Sequence, residues 1–175
     1  FFARPDTLTL GVCNGCQMVA QLGELIPGGD HFAPLAVNRS QRFEARLSLV
    51  QVPENRSKWF GGLAGLQFPI AVAHGEGRFP QTAADADRLA DDGLVSLRFV
   101  TPEGVPAIRY PENPNGSVQG MAGLCSQDGR VTMVMPHPER VVRRQQLSFA
   151  PAGTAEMTPW MAVFDQAWQW IRESA

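Results

Sequence analysis

The apolar residues of this chain recur in short runs that are typical of β-strands. In residues 42–52, apolar side chains alternate with Glu44, Arg46 and Ser48, and this period of two predicts a strand with one face exposed to water. Residues 68–73 form a continuous apolar run, as expected of a strand that is covered on both faces. The remaining predicted elements in the middle of the chain are a helix, a strand and the two strands of a hairpin: 82–92, 94–100, 118–126 and 130–135.

A helix is predicted close to the end of the sequence. Thr158 is a suitable N-cap, and Pro159 is suited to the first helical position because its missing N–H would have no partner there. Such helices bury their apolar stripe against a sheet or another domain. Four large apolar side chains recur at helical spacing and form the expected stripe: Trp160, Phe164, Trp168 and Ile171.

Residues 8–17 predict a strand, a sharp turn and a helix that leaves the turn. Gly11 and Gly15 flank Cys13 in the pattern of a nucleophile elbow, where glycines avoid side-chain collisions in a tight strand-to-helix turn. Cys13 is therefore the candidate nucleophile. The start of the helix is expected to favour its thiolate, and the N–H of Asn14 is expected to point at the oxyanion of a tetrahedral intermediate.

Two other interpretations of the cysteines compete with a nucleophile. Cys13 and Cys16 have the Cys-x-x-Cys spacing of a zinc or redox pair, but Cys125 is the only other cysteine and a structural zinc site needs a second pair of ligands. Both thiols could also be ordinary buried side chains, and this is the preferred interpretation for Cys16 within the helix.

A cysteine nucleophile needs a base, and the sequence offers three histidines. His31 lies in a polar loop without a neighbouring acid and is expected to be a surface residue. His74 and His137 each end a predicted strand, and each precedes a glutamate by two residues, Glu76 and Glu139. This spacing places the two side chains of each pair on one face of an extended segment.

His137 is the preferred base because prolines on both sides hold its backbone extended. His74 remains the second candidate, and a structural role is open for both. In an open parallel sheet, ligands bind beyond the carboxyl ends of the strands. Cys13, His74 and His137 are all expected at that edge.

The composition favours a single domain that binds a small molecule. The chain has 175 residues, 44% of them hydrophobic, with 15 basic and 17 acidic side chains and a net charge of −2. It has no basic run, which argues against a nucleic-acid partner, and no signal peptide or long apolar stretch, which argues against a membrane and favours the cytoplasm. The sequence begins at Phe1 without a methionine, as expected of part of a longer chain.

The elbow and the later His-Pro-Glu resemble the class I, or triad, glutamine amidotransferases. The resemblance extends to the C-terminal part of the phosphoribosylformylglycinamidine synthases, and residues 42–46 and 159–161 are similar to the large single-chain form of these enzymes. Five segments in order carry this resemblance: 11–17, 42–46, 74–78, 113–117 and 135–140.

The resemblance implies an α/β fold of the class I glutaminase, flavodoxin-like type, with an open and mostly parallel sheet and flanking helices. It implies that Cys13 attacks glutamine, that His137 transfers protons and that Glu139 orients His137. The N–H of Asn14 would belong to the oxyanion hole, and no metal is expected. The expected glutamine-binding residues are Gln17, Gly15 and His74.

The resemblance also implies partners outside these residues. Ammonia would pass to a synthetase domain of the same chain, and ATP and Mg²⁺ are expected there rather than here. Residues 1–175 would be the C-terminal portion of the glutaminase domain, and because the strands that precede the elbow in this family are missing, they are expected to be poorly active alone. The alternatives are another cysteine hydrolase of the same fold and a non-catalytic docking module.

Overall fold

A computed structural model describes residues 1–174 and shows a six-stranded sheet with three α-helices within them. The strand order is β1-β6-β5-β4-β2-β3, and short 3-10 turns connect several of the elements. The strands are β1 Thr9–Val12, β2 Glu44–Gln51, β3 Gln67–His74, β4 Val95–Phe99, β5 Met121–Cys125 and β6 Val131–Val134. The helices are α1 Asn14–Gln21, α2 Ala83–Asp91 and α3 Met161–Ser174.

The α/β class agrees with the sequence-based expectation, but the sheet in residues 1–174 is mixed rather than mostly parallel. Only β1 and β6 pair in parallel, while the other four pairings are antiparallel. The reason lies in the connections. For example, β5 and β6 are joined by a tight hairpin turn, and two strands joined in this way are antiparallel. Parallel neighbours need a longer crossover segment between them.

The sheet is curled, so that the segment after β6 approaches the far edge strand β3. His137 forms an isolated antiparallel bridge with Ala71, and its backbone N–H donates to the Ala71 carbonyl at 2.8 Å. The two faces of the sheet carry separate apolar clusters. One includes Val19 of α1 and Leu89 of α2, and the other includes Trp160 beside α3.

Strand β2 has the predicted position but presents the opposite face to the core. Glu44 and Ser48 are buried, whereas Phe43, expected on the buried face, is 68% exposed. The buried charge of Glu44 is compensated because its carboxylate forms a salt bridge with Arg46. The buried, paired carboxylate of Glu44 therefore lies at a position for which the alternation predicted exposure to solvent.

Helix α3 buries only part of the stripe that the sequence predicted, because Trp160 and Phe164 pack against the core but the two later residues do not. Trp160 is fully buried just before the helix, but Trp168 and Ile171 are exposed. The buried helical residues are Val163, three residues after Trp160, and Ala167, four residues after Val163. Helical spacing thus identified the correct helix and the start of its buried face, but the buried face continues through Ala167 and not through Trp168.

Candidate active site

The turn between β1 and α1 is a nucleophile elbow. Cys13 has a φ of 52° and a ψ of −106°, a strained conformation for a residue with a side chain, and its N–H donates to the Val134 carbonyl at 2.9 Å. A Cβ on Gly11 would lie 2.7 Å from the Gly15 carbonyl oxygen, so glycine is required there. A Cβ on Gly15 would meet nothing within 4 Å, which limits the predicted collision to Gly11.

The thiol of Cys13 is half-buried and points at β3. Its Sγ donates to the Ala73 carbonyl oxygen at 3.5 Å. Burial raises the pKa of Cys13, although the N–H of Asn14 and the positive charge of Arg140 act in the opposite direction. Burial thus opposes the thiolate that the start of the helix is expected to favour. A base must remove the proton.

His137 and Glu139 form the predicted pair. His137 Nδ1 lies 2.7 Å from Glu139 Oε1, which places the proton on Nδ1 and leaves Nε2 free to accept one. His137 is buried, and Nε2 has no hydrogen-bond partner among the residues described. Burial is the largest single effect on the pKa of Glu139 and raises it, but the hydrogen bond to His137, a backbone hydrogen bond and the nearby charges of His137 and Arg140 together lower this pKa below its ordinary value.

His74 lies beside His137 at the end of β3. It is only 2% exposed, and neither ring nitrogen has a hydrogen-bond partner within residues 1–174. Burial lowers the pKa of His74 to about 4, and the nearby His137 acts in the same direction. A Cβ on Gly77 would lie 2.5 Å from His74 Nδ1, so glycine makes room for the ring. His74 is therefore a neutral imidazole with unused hydrogen-bonding capacity.

Two asparagines that sequence reasoning missed hold the loop 74–77 in place. Asn38 donates to the His74 carbonyl at 2.8 Å and accepts from the N–H of Gly77 at 3.1 Å. Asn115 donates to the Gly77 carbonyl at 2.6 Å. The polar segment 113–117 was visible as a motif, but its contact with a loop nearly forty residues earlier in the chain was not.

Gln17 reaches the same loop from α1. Its Nε2 donates to the Glu76 carbonyl at 2.8 Å. Asn14, Gln17 and Glu76 line a cavity of about 300 Å³ that opens next to the elbow. Of the predicted site residues, the structure brings Cys13, Asn14, Gln17, His74, His137 and Glu139 to this edge of the sheet, with Gly15 in the first turn of α1.

The other cysteines and His31 lie elsewhere. Cys16 is buried in the core, and burial raises its pKa well above the ordinary value. His31 is not a free surface residue, because its Nε2 lies 2.9 Å from the Cys125 carbonyl. Among residues 1–174, no group of three or more histidine, cysteine or acidic side chains is arranged to hold a metal ion.

Comparison with known proteins agrees with this geometry. The sequence matches the CobB/CobQ-like glutamine amidotransferase domain over residues 1–171. The chain belongs to this family. Among solved structures, that of PurLQS from Thermotoga maritima is similar to this glutamine amidotransferase, with 27% sequence identity and a TM-score of 0.65 over 94% of the chain. The chain spans 62% of the matched chain.

These findings confirm several sequence-based predictions. The fold is of the class I glutaminase type, the protein is an enzyme of the glutamine amidotransferase family, and glutamine is the substrate that this family implies. The match to PurLQS agrees with the resemblance to the phosphoribosylformylglycinamidine synthases. None of the helices of this amidotransferase in residues 1–174 combines the length and apolar character of a membrane span.

Proposed function

We propose that this glutamine amidotransferase hydrolyses glutamine through Cys13, His137 and Glu139. The proposal rests on the way in which strand β3 brings the thiol and the imidazole together. Cys13 Sγ binds the Ala73 carbonyl, the His137 backbone binds the Ala71 carbonyl, and His137 Nε2 stays without a partner. Carbonyls two residues apart in a strand point the same way and lie about 7 Å apart, so the thiol and the imidazole share one edge of β3.

The reaction follows from the protonation states at this edge. His137 Nε2 takes the proton of the Cys13 thiol, and the thiolate attacks the side-chain carbonyl carbon of glutamine. The oxyanion accepts a hydrogen bond from the N–H of Asn14. The C–N bond then breaks, and His137 gives its proton to the leaving nitrogen, which departs as ammonia.

The thioester is hydrolysed in the second half of the reaction. His137 takes a proton from water, and the hydroxide attacks the thioester carbonyl. The C–S bond breaks, glutamate leaves, and the sulfur recovers its proton from His137. Glu139 holds the imidazole in one tautomer and offsets its positive charge in both halves.

The residues that surround the nucleophile supply glutamine binding in this proposal. Gln17 lines the cavity next to the elbow, and the space beside Gly15 leaves room for the substrate backbone. His74 offers two buried nitrogens without partners, and a buried polar atom of this kind is stabilised when a ligand completes its hydrogen bonds. We assign all three to the glutamine site.

The place of this reaction is the synthesis of purines. We propose that the ammonia is used by the synthetase part of a phosphoribosylformylglycinamidine synthase of the large single-chain form, an ATP-dependent ligase that converts formylglycinamide ribonucleotide to the amidine. ATP and Mg²⁺ would bind in that synthetase domain. The match to PurLQS and the five sequence segments support this assignment.

Labelling with a glutamine-mimicking electrophile tests the proposal. The intact enzyme is treated with 6-diazo-5-oxonorleucine, with and without excess glutamine, and the modified peptide is mapped by mass spectrometry. We expect modification of Cys13 that glutamine prevents, and no modification of Cys16 or Cys125. Labelling of Cys13 that glutamine does not prevent would favour another cysteine hydrolase of this fold. An unreactive Cys13 would favour a non-catalytic docking module.

A further inference from the structure

The cavity next to the elbow contains one charged group that the proposed reaction does not use. Its lining combines the apolar side chains of Met18, Pro34 and Leu35 with polar residues of α1. Glu76 is the only charged residue that lines it within residues 1–174. A carboxylate in a cavity without a cation of its own favours a ligand that carries positive charge.

The carboxylate of Glu76 has no partner within residues 1–174. Glu76 follows His74 by two residues, the spacing of an orienting acid, but both ring nitrogens of His74 lack a hydrogen-bond partner in this part of the chain. Only the backbone carbonyl of Glu76 is used, because it accepts from Gln17 Nε2 at 2.8 Å. By contrast, the carboxylate of Glu139 is paired with His137. Glu76 is therefore available to a ligand.

The distance between the nucleophile and Glu76 suits glutamine. The N–H of Gln17 donates to the Cys13 carbonyl at 3.0 Å, so Gln17 lies one helical turn beyond Cys13, about 6 Å along the axis of α1. Because Gln17 also holds the backbone of Glu76, this glutamate lies at the level of the same turn. In extended glutamine, four bonds separate the amide carbon from the α-nitrogen and span about 5 Å. A glutamine whose amide carbon contacts Cys13 Sγ therefore has its α-ammonium group within reach of Glu76.

Two buried asparagines hold the loop that carries Glu76. Asn38 accepts from the N–H of Gly77 at 3.1 Å, and Asn115 donates to the Gly77 carbonyl at 2.6 Å, so the backbone next to Glu76 is fixed. A charged group on a fixed backbone loses less conformational freedom when it binds, and its hydrogen bond to an ammonium group is stronger than one between neutral groups. These contacts favour a binding role for Glu76 over that of an ordinary solvated carboxylate.

We propose that Glu76 binds the α-ammonium group of glutamine and determines the specificity of the site for the free amino acid. Amides of the same length that lack this group bind more weakly. The inference rests on the proposed function, because it names a substrate contact of that same glutamine site. Glu76 transfers no proton in the reaction, so its loss weakens substrate binding and leaves the chemical steps to Cys13 and His137.

Hydrolysis of two amides tests the contact. The intact wild-type enzyme is given glutamine or glutaramate, which has the same chain length, amide and carboxylate but no α-amino group, and the release of ammonia is measured. We expect kcat/KM for glutamine to exceed that for glutaramate about thirtyfold, the effect of one hydrogen bond between charged groups. Equal values for the two amides would overturn the inference. A wild-type enzyme that releases no ammonia from glutamine would overturn the proposed function itself.

The variant Glu76→Gln assigns the discrimination to this residue. The control is Glu54→Gln, which changes an exposed glutamate beyond the end of β2 that lies away from His74. We expect only Glu76→Gln to raise the KM for glutamine, about thirtyfold, and to bring kcat/KM for glutamine close to that for glutaramate. Labelling of Cys13 by iodoacetamide at the wild-type rate shows that the elbow of the variant is intact. An equal loss for both amides, or a preference for glutamine that persists, would overturn the inference.

Discussion

Gly11 and Gly15 flank the same cysteine, but the structure assigns them opposite responses to alanine. A Cβ on Gly11 would lie 2.7 Å from the carbonyl oxygen of Gly15 and 2.9 Å from Cγ2 of Val19. The first contact is with backbone and cannot be relieved by a rotamer change. Overpacking of this kind destabilises a folded protein by about 2–3 kcal/mol.

A Cβ on Gly15 would meet nothing within 4 Å, and the residue lies in the first turn of α1. Alanine is a better helix former than glycine by about 1 kcal/mol, and this advantage is smaller at a helix end. Gly15→Ala is therefore expected to be neutral or slightly stabilising. The two variants should differ by about 3 kcal/mol in the free energy of unfolding.

Thermal unfolding separates the two variants. For a domain of this size, 1 kcal/mol corresponds to about 2–4 °C in Tm, so Gly11→Ala should unfold roughly 6–12 °C below Gly15→Ala. Gly15→Ala should keep the wild-type Tm but raise the KM for glutamine, because its methyl group enters the proposed substrate space. Equal Tm values for the two variants would refute this account of the elbow.

Three further predictions concern the titratable groups of the site. Glu139→Gln should lower glutaminase kcat about a hundredfold, since His137 loses its orienting carboxylate; wild-type release of glutamate would contradict the triad. The rate of iodoacetamide labelling of Cys13 should rise with pH to a midpoint above the 9.0 of an ordinary cysteine, because burial raises the pKa of its thiol; a midpoint below pH 8 would show a thiolate instead. The depressed pKa of His74, about 4 against 6.5, should make stability fall between pH 6.5 and pH 4, since the unfolded chain binds the proton first. The free energy of unfolding should fall by about 3 kcal/mol at most. The corresponding decrease in Tm between pH 6.5 and pH 4 should be absent in His74→Gln.

The local chemistry of the site was readable from the sequence because it depends on residues that are close in the chain. Gly11 and Cys13 specify the elbow within three positions, and the prolines around His137 fix its relation to Glu139. Each of these predictions used only local backbone stereochemistry. The structure contains the elbow as expected, whereas Glu139 reaches His137 from a 3-10 turn over Pro138–Arg140 and not from the expected extended segment.

The expectations that the structure corrects or opposes depended on contacts that a pattern of apolar and polar positions does not show. Alternation in β2 could not show that Arg46 pairs with Glu44 and permits its burial, and helical spacing could not show that α3 presents Trp168 to solvent. The thiolate expectation for Cys13 considered the helix but not the strand β3 that desolvates the sulfur. The roles of Asn38 and Asn115 required the fold, since their partners lie far away in sequence.

The proton of the Cys13 thiol connects catalysis with the position of the loop 74–77. In the structure it is directed to the Ala73 carbonyl, whereas His137 Nε2 has no partner, so turnover requires the sulfur to exchange one acceptor for the other. Ala73 immediately precedes His74, whose carbonyl is held by Asn38. A shift of the loop 74–77 therefore changes the position of the competing acceptor as well as that of His74. For this reason the position of the loop determines how easily the thiol proton passes to His137.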